Sequence, residues 1–339
     1  MLRWHHVVRT GLGVLGHRLF GVRRPLNVML ALTNRCTAHC RYCNIPVRDH
    51  RDLSTDQVLR LVDEMADAGA VRLGLWGGEP LLREDIGVIV RRAKSRGLYV
   101  TLDTNGALWS ERMADLAGLD HVIFGLDGSA AHHDANRGPG THAKVMEAIE
   151  LARRAPGLRV WTITVLNRQN LGDVDEVLDL AESLGFRCTF QVLHHNEHMG
   201  RNHHELMPSN EEYRAVLRHV LKRKRAGARV GSSVRYLNYV IRWPDYRSST
   251  SLVPHLGMSC RAGQLYANVD ANGDVYACSL LVGRVPAANA VAQGFRAAFE
   301  AIPALPCQGC TAGCFTEYNY LYSLDGMCIW DWLRSMLQR

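Results

Sequence analysis

Nine of the ten cysteines in this 339-residue chain fall into two groups. The first group sits in Cys36-Thr37-Ala38-His39-Cys40-Arg41-Tyr42-Cys43, and the next cysteine is Cys188. Thiolates are soft ligands that select zinc or iron–sulfur clusters, and a four-iron cluster is ordinarily held by four of them. A loop that supplies Cys36, Cys40 and Cys43 alone would leave one iron without a protein ligand, open to a small molecule. A zinc loop with a distant fourth ligand, or three unrelated core cysteines, are the plainer readings of the same spacing. The second group is Cys260, Cys278, Cys307, Cys310, Cys314 and Cys328. Four of these could hold one four-iron cluster, all six could hold two with an open iron on one, or the group could be a structural zinc ribbon. Cys188 stands alone on a strand-like run and reads as a small buried hydrophobe.

The first cysteine loop leaves an apolar run, Leu26 to Leu32, that reads as a buried strand. From there strand-like and helical patterns alternate. The strand-like runs are 26–32, 71–76, 98–103, 121–126, 159–166 and 188–193, and the helical patterns are 55–69, 84–96, 110–118, 141–154 and 173–185. Ser54 with Gln57, and Ser110, stand where helix caps belong, and Gly69, Gly97 and Gly185 where helices close. Six strand–helix units with right-handed crossovers predict an α/β fold, a partial (β/α)6 TIM-type barrel whose strand-end loops converge on one mouth. After residue 207 comes a helical connector over 208–256, with Ser209 and Glu212 forming a capping box, and then a small cysteine-rich domain over 257–339. In that domain Asn272-Gly273, between alternating residues, predicts a two-residue hairpin turn.

Further motifs lie at the ends of successive strands. Gly77-Gly78-Glu79-Pro80 follows the second, with glycines that permit close backbone approach and a carboxylate suited to an ammonium group. Leu102-Asp103-Thr104-Asn105-Gly106 ends the third and Gly125-Leu126-Asp127-Gly128 the fourth, whose loop runs on to Arg137. Asn167 and Leu193 end the fifth and sixth. In this order, with Tyr42 just before the third cysteine, the segments resemble the radical SAM superfamily. The resemblance implies a four-iron cluster on Cys36, Cys40 and Cys43 whose open iron chelates S-adenosylmethionine. It implies reductive cleavage of that cofactor to methionine and a 5′-deoxyadenosyl radical that abstracts hydrogen from a substrate. Gly77, Gly78, Glu79 and Pro80 would face the methionyl amino group, and Asp103, Thr104 and Asn105 the ribose and methionyl part. Arg137, near Asp127, would reach the carboxylate. Tyr42, Asn167 and Leu193 would lie near adenine or ribose. Many relatives carry Ser where this chain has Gly125. The C-terminal cysteines resemble the auxiliary-cluster extension known as SPASM, or twitch in its shorter form, although the full pattern has more than six. One or two auxiliary clusters are implied there.

Hydrophobic content of 47% and charged content of 22% are those of an ordinary globular protein, and the net charge of +7 reads as an arginine-rich surface. No basic stripe interleaved with aromatics suggests nucleic acid. Metal thiolates call for a reducing compartment, so a cytoplasmic location is expected, with neither a secretory signal nor a membrane span. Residues 1–25 form a basic amphipathic pattern. It could touch a membrane surface, but Gly11, Gly13 and Gly16 weaken it and favour a helix packed across the barrel bottom. Residues 194–204 hold five histidines, which read as a loop lidding the mouth.

The resemblance further implies a flavodoxin- or ferredoxin-type electron donor. A small-molecule substrate is expected, because only 25 residues precede the core and peptide maturases often carry a longer leader-binding domain. Maturation of a ribosomal peptide is the alternative, and a non-catalytic iron–sulfur or zinc protein the remote one. His194 and Glu317 are the acid–base candidates.

Overall fold

The computed structural model describes residues 4–48, 51–194 and 205–337. The histidine-bearing insertion from His195 to His204 lies outside the described residues. In chain order the first elements are α1 (Trp4–Phe20), β1 (Asn27–Ala31), α2 (Thr55–Asp67), β2 (Arg72–Trp76), α3 (Ile86–Ser95), β3 (Tyr99–Thr104) and α4 (Trp109–Arg112). Then come β4 (His121–Gly125), α5 (Ala130–Arg137), α6 (Thr141–Arg153), β5 (Arg159–Leu166), α7 (Val174–Leu184) and β6 (Arg187–Val192). After these follow α8 (Asn210–Arg225), α9 (Val234–Ile241), β7 (Thr250–Ser251), β8 (Tyr266–Val269), β9 (Asp274–Tyr276) and β10 (Ala288–Asn289). The chain closes with α10 (Ala290–Gln293), α11 (Phe295–Glu300), β11 (Gly309–Cys310), α12 (Gly313–Tyr322) and α13 (Gly326–Leu337).

Strands β1 to β6 pair in parallel, each with the next in sequence. Successive strand side chains point to opposite faces, so burial along β5 reports what lies on each side. Val160, Thr162, Thr164 and Leu166 are buried, whereas Arg159, Trp161, Ile163 and Val165 are only half-buried. The buried set faces the core, where Val28, Leu30, Leu73, Leu75, Leu102 and Phe124 join apolar residues from the helices, such as Leu61, Met65 and Ile89. The half-buried set lines a hollow. Register carries that inner row sideways from Asp103 to Ile123 to Trp161. The result is the expected partial barrel, open inside.

Two helix starts follow the predicted capping boxes: Ser54 with Gln57, and Ser209 with Glu212. Ser110 does not cap. Gly106, at φ 82°, turns the chain so that α4 starts at Trp109, whose ring meets Phe124 edge-on at 5.0 Å. Helix α5 falls within a stretch that the sequence pattern left as loop.

The C-terminal part is joined to the barrel sheet. Strand β8 pairs in parallel with β1, giving among the described residues a nine-stranded sheet in the order β10-β9-β8-β1-β2-β3-β4-β5-β6. The hairpin after β8 has a three-residue connection, not two. The Asp270 N–H donates to the Asp274 carbonyl (2.8 Å), and Gly273 takes a positive φ of 91°. A type I turn followed by a left-handed glycine gives this geometry. Helix α12 runs from mouth to floor of the barrel. The Gly313 N–H donates to Gln191 Oε1 (3.1 Å) near the end of β6, and the Tyr318 ring lies under the Arg72 guanidinium at the start of β2. Helix α1 covers the floor, as expected, through Arg9 to the Ala70 carbonyl (2.8 Å) and His6 to the Gly97 carbonyl (3.1 Å). No helix among the described residues is long and apolar enough to cross a membrane.

Candidate active site

The cysteine loop after β1 is shaped by backbone contacts with two neighbouring loops. The His39 N–H donates to the Arg137 carbonyl (3.3 Å) and the Arg41 N–H to the Asn136 carbonyl (2.9 Å), so the end of α5 supports it from one side. On the other side, the Gly78 N–H donates to the Thr33 carbonyl and the Glu79 N–H to the Arg35 carbonyl, both at 2.8 Å. A Cβ on Gly77 would lie 2.3 Å from the Thr33 oxygen, and one on Gly78 2.2 Å from the Arg35 oxygen. Both glycines are thus required by the approach of the two loops to each other.

Glu79 is fully buried, and its oxygens are already engaged. They accept from Thr104 Oγ1 (2.7 Å), the Leu81 N–H (3.1 Å) and the Asn105 N–H (2.8 Å). Burial raises its pKa, against the pull of these three bonds. These bonds fasten the Gly77–Pro80 turn to the end of β3. Asn105 then reaches the cysteine loop, its Nδ2 lying 3.0 Å from Thr37 Oγ1 and 3.6 Å from Cys36 Sγ.

Arg137 is likewise committed. Its Nε donates to Asp127 Oδ2 (2.7 Å) and its Nη2 to Asp127 Oδ1 (3.1 Å), with both side chains buried. Burial alone would raise the Asp127 pKa; the adjoining guanidinium and the Val165 N–H hold it below the usual carboxylate range. Tyr42 Oη joins the pair at 2.8 Å from Asp127 Oδ2. The guanidinium that the resemblance assigned to a ligand carboxylate meets a carboxylate of the chain itself. Asn167 closes an Asx turn with the Gln169 N–H (2.9 Å), and the Leu193 side chain lies in the core.

Cys36, Cys40 and Cys43 remain half-buried around one side of this frame. Burial, then the neighbouring thiols and Asp127, push the Cys40 thiol up to about 12, against the pull of Arg137. Such thiols ionise only beside a cation, which iron supplies. Among the described residues no three of His, Cys, Asp and Glu converge tightly enough for a single metal ion. A cubane places each thiolate on a different iron, and its ligands stand further apart. As a donor set, three soft thiolates on one loop suit that group with one iron left open.

Four of the six C-terminal cysteines meet. Cys260, Cys278, Cys307 and Cys310 line one small apolar cavity with Leu280 and Phe315. Burial and mutual repulsion raise Cys278 well above the usual thiol value, and Cys307 rises to about 11. The cavity is apolar and supplies four sulfurs, as a closed cluster requires. Cys314 and Cys328 lie elsewhere. Cys328 is buried against Glu317, 3.7 Å from its Oε2, while Glu317 Oε1 accepts the Ser233 N–H (2.6 Å) at the start of α9. Glu317 therefore ties three helices together. Cys314 opens onto the hollow interior, where withdrawal from bulk water and then Asp103 raise its thiol to about 11, against the pull of Arg72. Asp103 also faces that interior. Its Oδ1 is buried without a partner, and burial raises its pKa to about 6, against the pull of Arg72. His194 contacts Gln191 and is lowered by burial to about 4, so it is neutral at pH 7.

The family model described as "Radical SAM superfamily" matches residues 30–181. The PqqA peptide cyclase of Xanthomonas euvesicatoria is 32% identical over 265 residues, covering 75% of this chain and 68% of the relative. This chain belongs to the radical SAM superfamily. Other similar proteins are the PqqA peptide cyclases of Granulibacter bethesdensis, 29% identical over 56% of this chain, and of Streptomyces rochei, 34% identical over 61%. The chain spans 53% of the Granulibacter protein and 59% of the Streptomyces protein. Streptococcus suis SuiB bound to S-adenosylmethionine shares the fold at a TM-score of 0.68 and 15% identity, covering 86% of this chain and 70% of SuiB. The anSMEcpe structure with bound AdoMet and Cp18Cys peptide does so at 0.63 and 16%, covering 91% and 99%. As a member of that superfamily, the protein uses a four-iron cluster and S-adenosylmethionine.

The sequence patterns did not single out the shared cavity of the four C-terminal cysteines, nor the interior position of Cys314.

Proposed function

We propose that this enzyme modifies a side chain of a ribosomally made peptide. The observation that carries the reading is the 32% identity, over three quarters of the chain, to a protein named for cyclising the peptide PqqA. Structures of similar fold include SuiB bound to its precursor peptide SuiA. These relatives favour the peptide over the small molecule expected from the short N-terminal segment.

In this reading Cys36, Cys40 and Cys43 hold the cluster that binds S-adenosylmethionine. Cys260, Cys278, Cys307 and Cys310 hold one auxiliary four-iron cluster, with Cys314 and Cys328 outside it. When bound, the cofactors supply a carbon radical able to take hydrogen from an unactivated carbon. The chain's own contribution is the frame. The Gly77–Pro80 turn, fixed through Glu79 to Thr104 and Asn105, presents backbone groups beside the cysteine loop. The hollow between barrel and α12 receives the peptide side chain and keeps water from it. Asp103, ionised at pH 7 and facing that hollow, takes the role of base in place of His194 and Glu317. A flavodoxin- or ferredoxin-type protein delivers the reducing electron.

The test is anaerobic reconstitution with iron and sulfide, then incubation with dithionite, S-adenosylmethionine and the short peptides encoded beside the gene. Peptide losing hydrogen in step with 5′-deoxyadenosine release is the expected result. Unchanged peptides, with a small metabolite consumed in step with the nucleoside instead, would overturn the proposal.

A further inference from the structure

Helix α1 presents its apolar side to solvent. Its buried residues are His6, Gly13 and Val14. Facing outward are Trp4, Leu12, Leu15 and Leu19, at 78, 62, 47 and 70% exposure, with Val8 among them and Phe20 at the end at 79%. Residues 4, 8, 12, 15 and 19 keep to one side of a helix, and the stripe runs about 22 Å along the axis. Trp4 alone exposes roughly 200 Å². With the four aliphatic side chains added, the stripe exceeds the few hundred Å² that a solvated monomer ordinarily leaves open. Leu324 and Met327, both exposed, lie near the end of the stripe, where Arg18 Nη1 reaches the Ser323 carbonyl (3.4 Å).

Charge indicates what covers it. The chain has no acidic residue before Asp49, while Arg3, Arg9, Arg18, Arg23 and Arg24 all precede the first strand. Two copies of α1 laid together would bring cations against cations with no carboxylate on either helix. An anionic bilayer offers both halves of the match: apolar depth for the stripe and negative headgroups for the exposed Arg18, Arg23 and Arg24, whereas Arg9 is turned to the Ala70 carbonyl. The amphipathic ring of Trp4 suits the headgroup boundary.

We propose that α1 seats the enzyme on an anionic membrane surface, with the helix lying in the plane of the headgroups. The contacts from α1 to the Ala70 and Gly97 carbonyls hold it at the strand-start end of the barrel, so the mouth stays turned towards water. This inference is independent of the substrate.

The experiment is vesicle flotation of the full, reconstituted chain. Vesicles of one part phosphatidylglycerol to three of phosphatidylcholine are compared with phosphatidylcholine alone. Binding to the mixed vesicles about tenfold tighter than to neutral ones is expected, with release in high salt. The double variant Leu12→Glu/Leu15→Glu should lose about tenfold or more of that binding. Both side chains are exposed, so its thermal stability and its nucleoside release in vesicle-free buffer should be unchanged. Absence of binding to the mixed vesicles, or equal binding to neutral ones, would overturn the proposal. So would self-association by light scattering that the double variant abolishes, which would assign the stripe to a second copy.

Discussion

A Cβ at position 125 would lie 2.2 Å from Arg137 Nη1, so Gly125 and the Arg137 guanidinium occupy complementary space. The same guanidinium grips both oxygens of Asp127, and the Arg137 carbonyl accepts the His39 N–H of the cysteine loop. Where many relatives carry Ser, this chain uses the missing side chain to bury an ion pair beside its cysteines. A buried pair broken on one side leaves an uncompensated charge.

Gly125→Ala should therefore displace Arg137 and lower unfolding free energy by about 1–3 kcal/mol, as overpacking does. Arg137→Met should cost about 3–5 kcal/mol by leaving Asp127 unpaired. In the double variant the two losses should fall short of additive by more than about 0.5 kcal/mol, because both act on one contact. Urea denaturation of the four proteins measures this; strict additivity would refute the coupling.

Cys40→Ala should abolish 5′-deoxyadenosine release and remove about four irons per chain, while leaving the circular dichroism spectrum of the barrel in place. Undiminished nucleoside release by that variant would show that these cysteines do not hold the reactive cluster.

The C-terminal cysteines should divide by location. Cys307→Ser should lose the auxiliary iron, about four atoms, whereas Cys314→Ser and Cys328→Ser should retain it. Iron analysis after anaerobic reconstitution separates the two outcomes. Loss of iron in Cys314→Ser would place that thiol among the ligands.

Asp103 makes stability depend on pH. Its folded pKa, raised to about 6 from 3.8, means that the folded chain holds a proton that the unfolded chain has released between these values. The contribution is present below pH 3.8 and lost as pH rises through 6. Asp103→Asn should thus gain about 2 kcal/mol relative to the parent on going from pH 4 to pH 8. Denaturation midpoints of the apo chain at the two pH values check the sign. The same variant should lose peptide modification while still cleaving S-adenosylmethionine, if Asp103 is the base.

Periodicity and spacing determined much of this protein. The six parallel strands stand within a residue or two of where apolar runs placed them, because a buried strand needs such a run whatever surrounds it. The capping boxes at Ser54 and Ser209 were legible for a similar reason: their bonds close within four residues. The grouping of Cys36, Cys40 and Cys43 is local too, set by one loop. Tertiary structure decided what depends on distant partners. Only the fold shows that Glu79 and Arg137 are bonded to Thr104, Asn105 and Asp127, since a side chain's charge does not reveal which donor or acceptor will reach it. Likewise, six cysteines along the chain do not tell which four will share a cavity. The path of α12 through the barrel decides that, carrying Cys314 to the interior and leaving Cys310 with Cys260. The outward stripe of α1 is the last case. Its spacing is plain in the sequence, but which side meets the barrel was settled by Gly13 fitting against Leu26 and by Arg9 and His6 reaching backbone carbonyls.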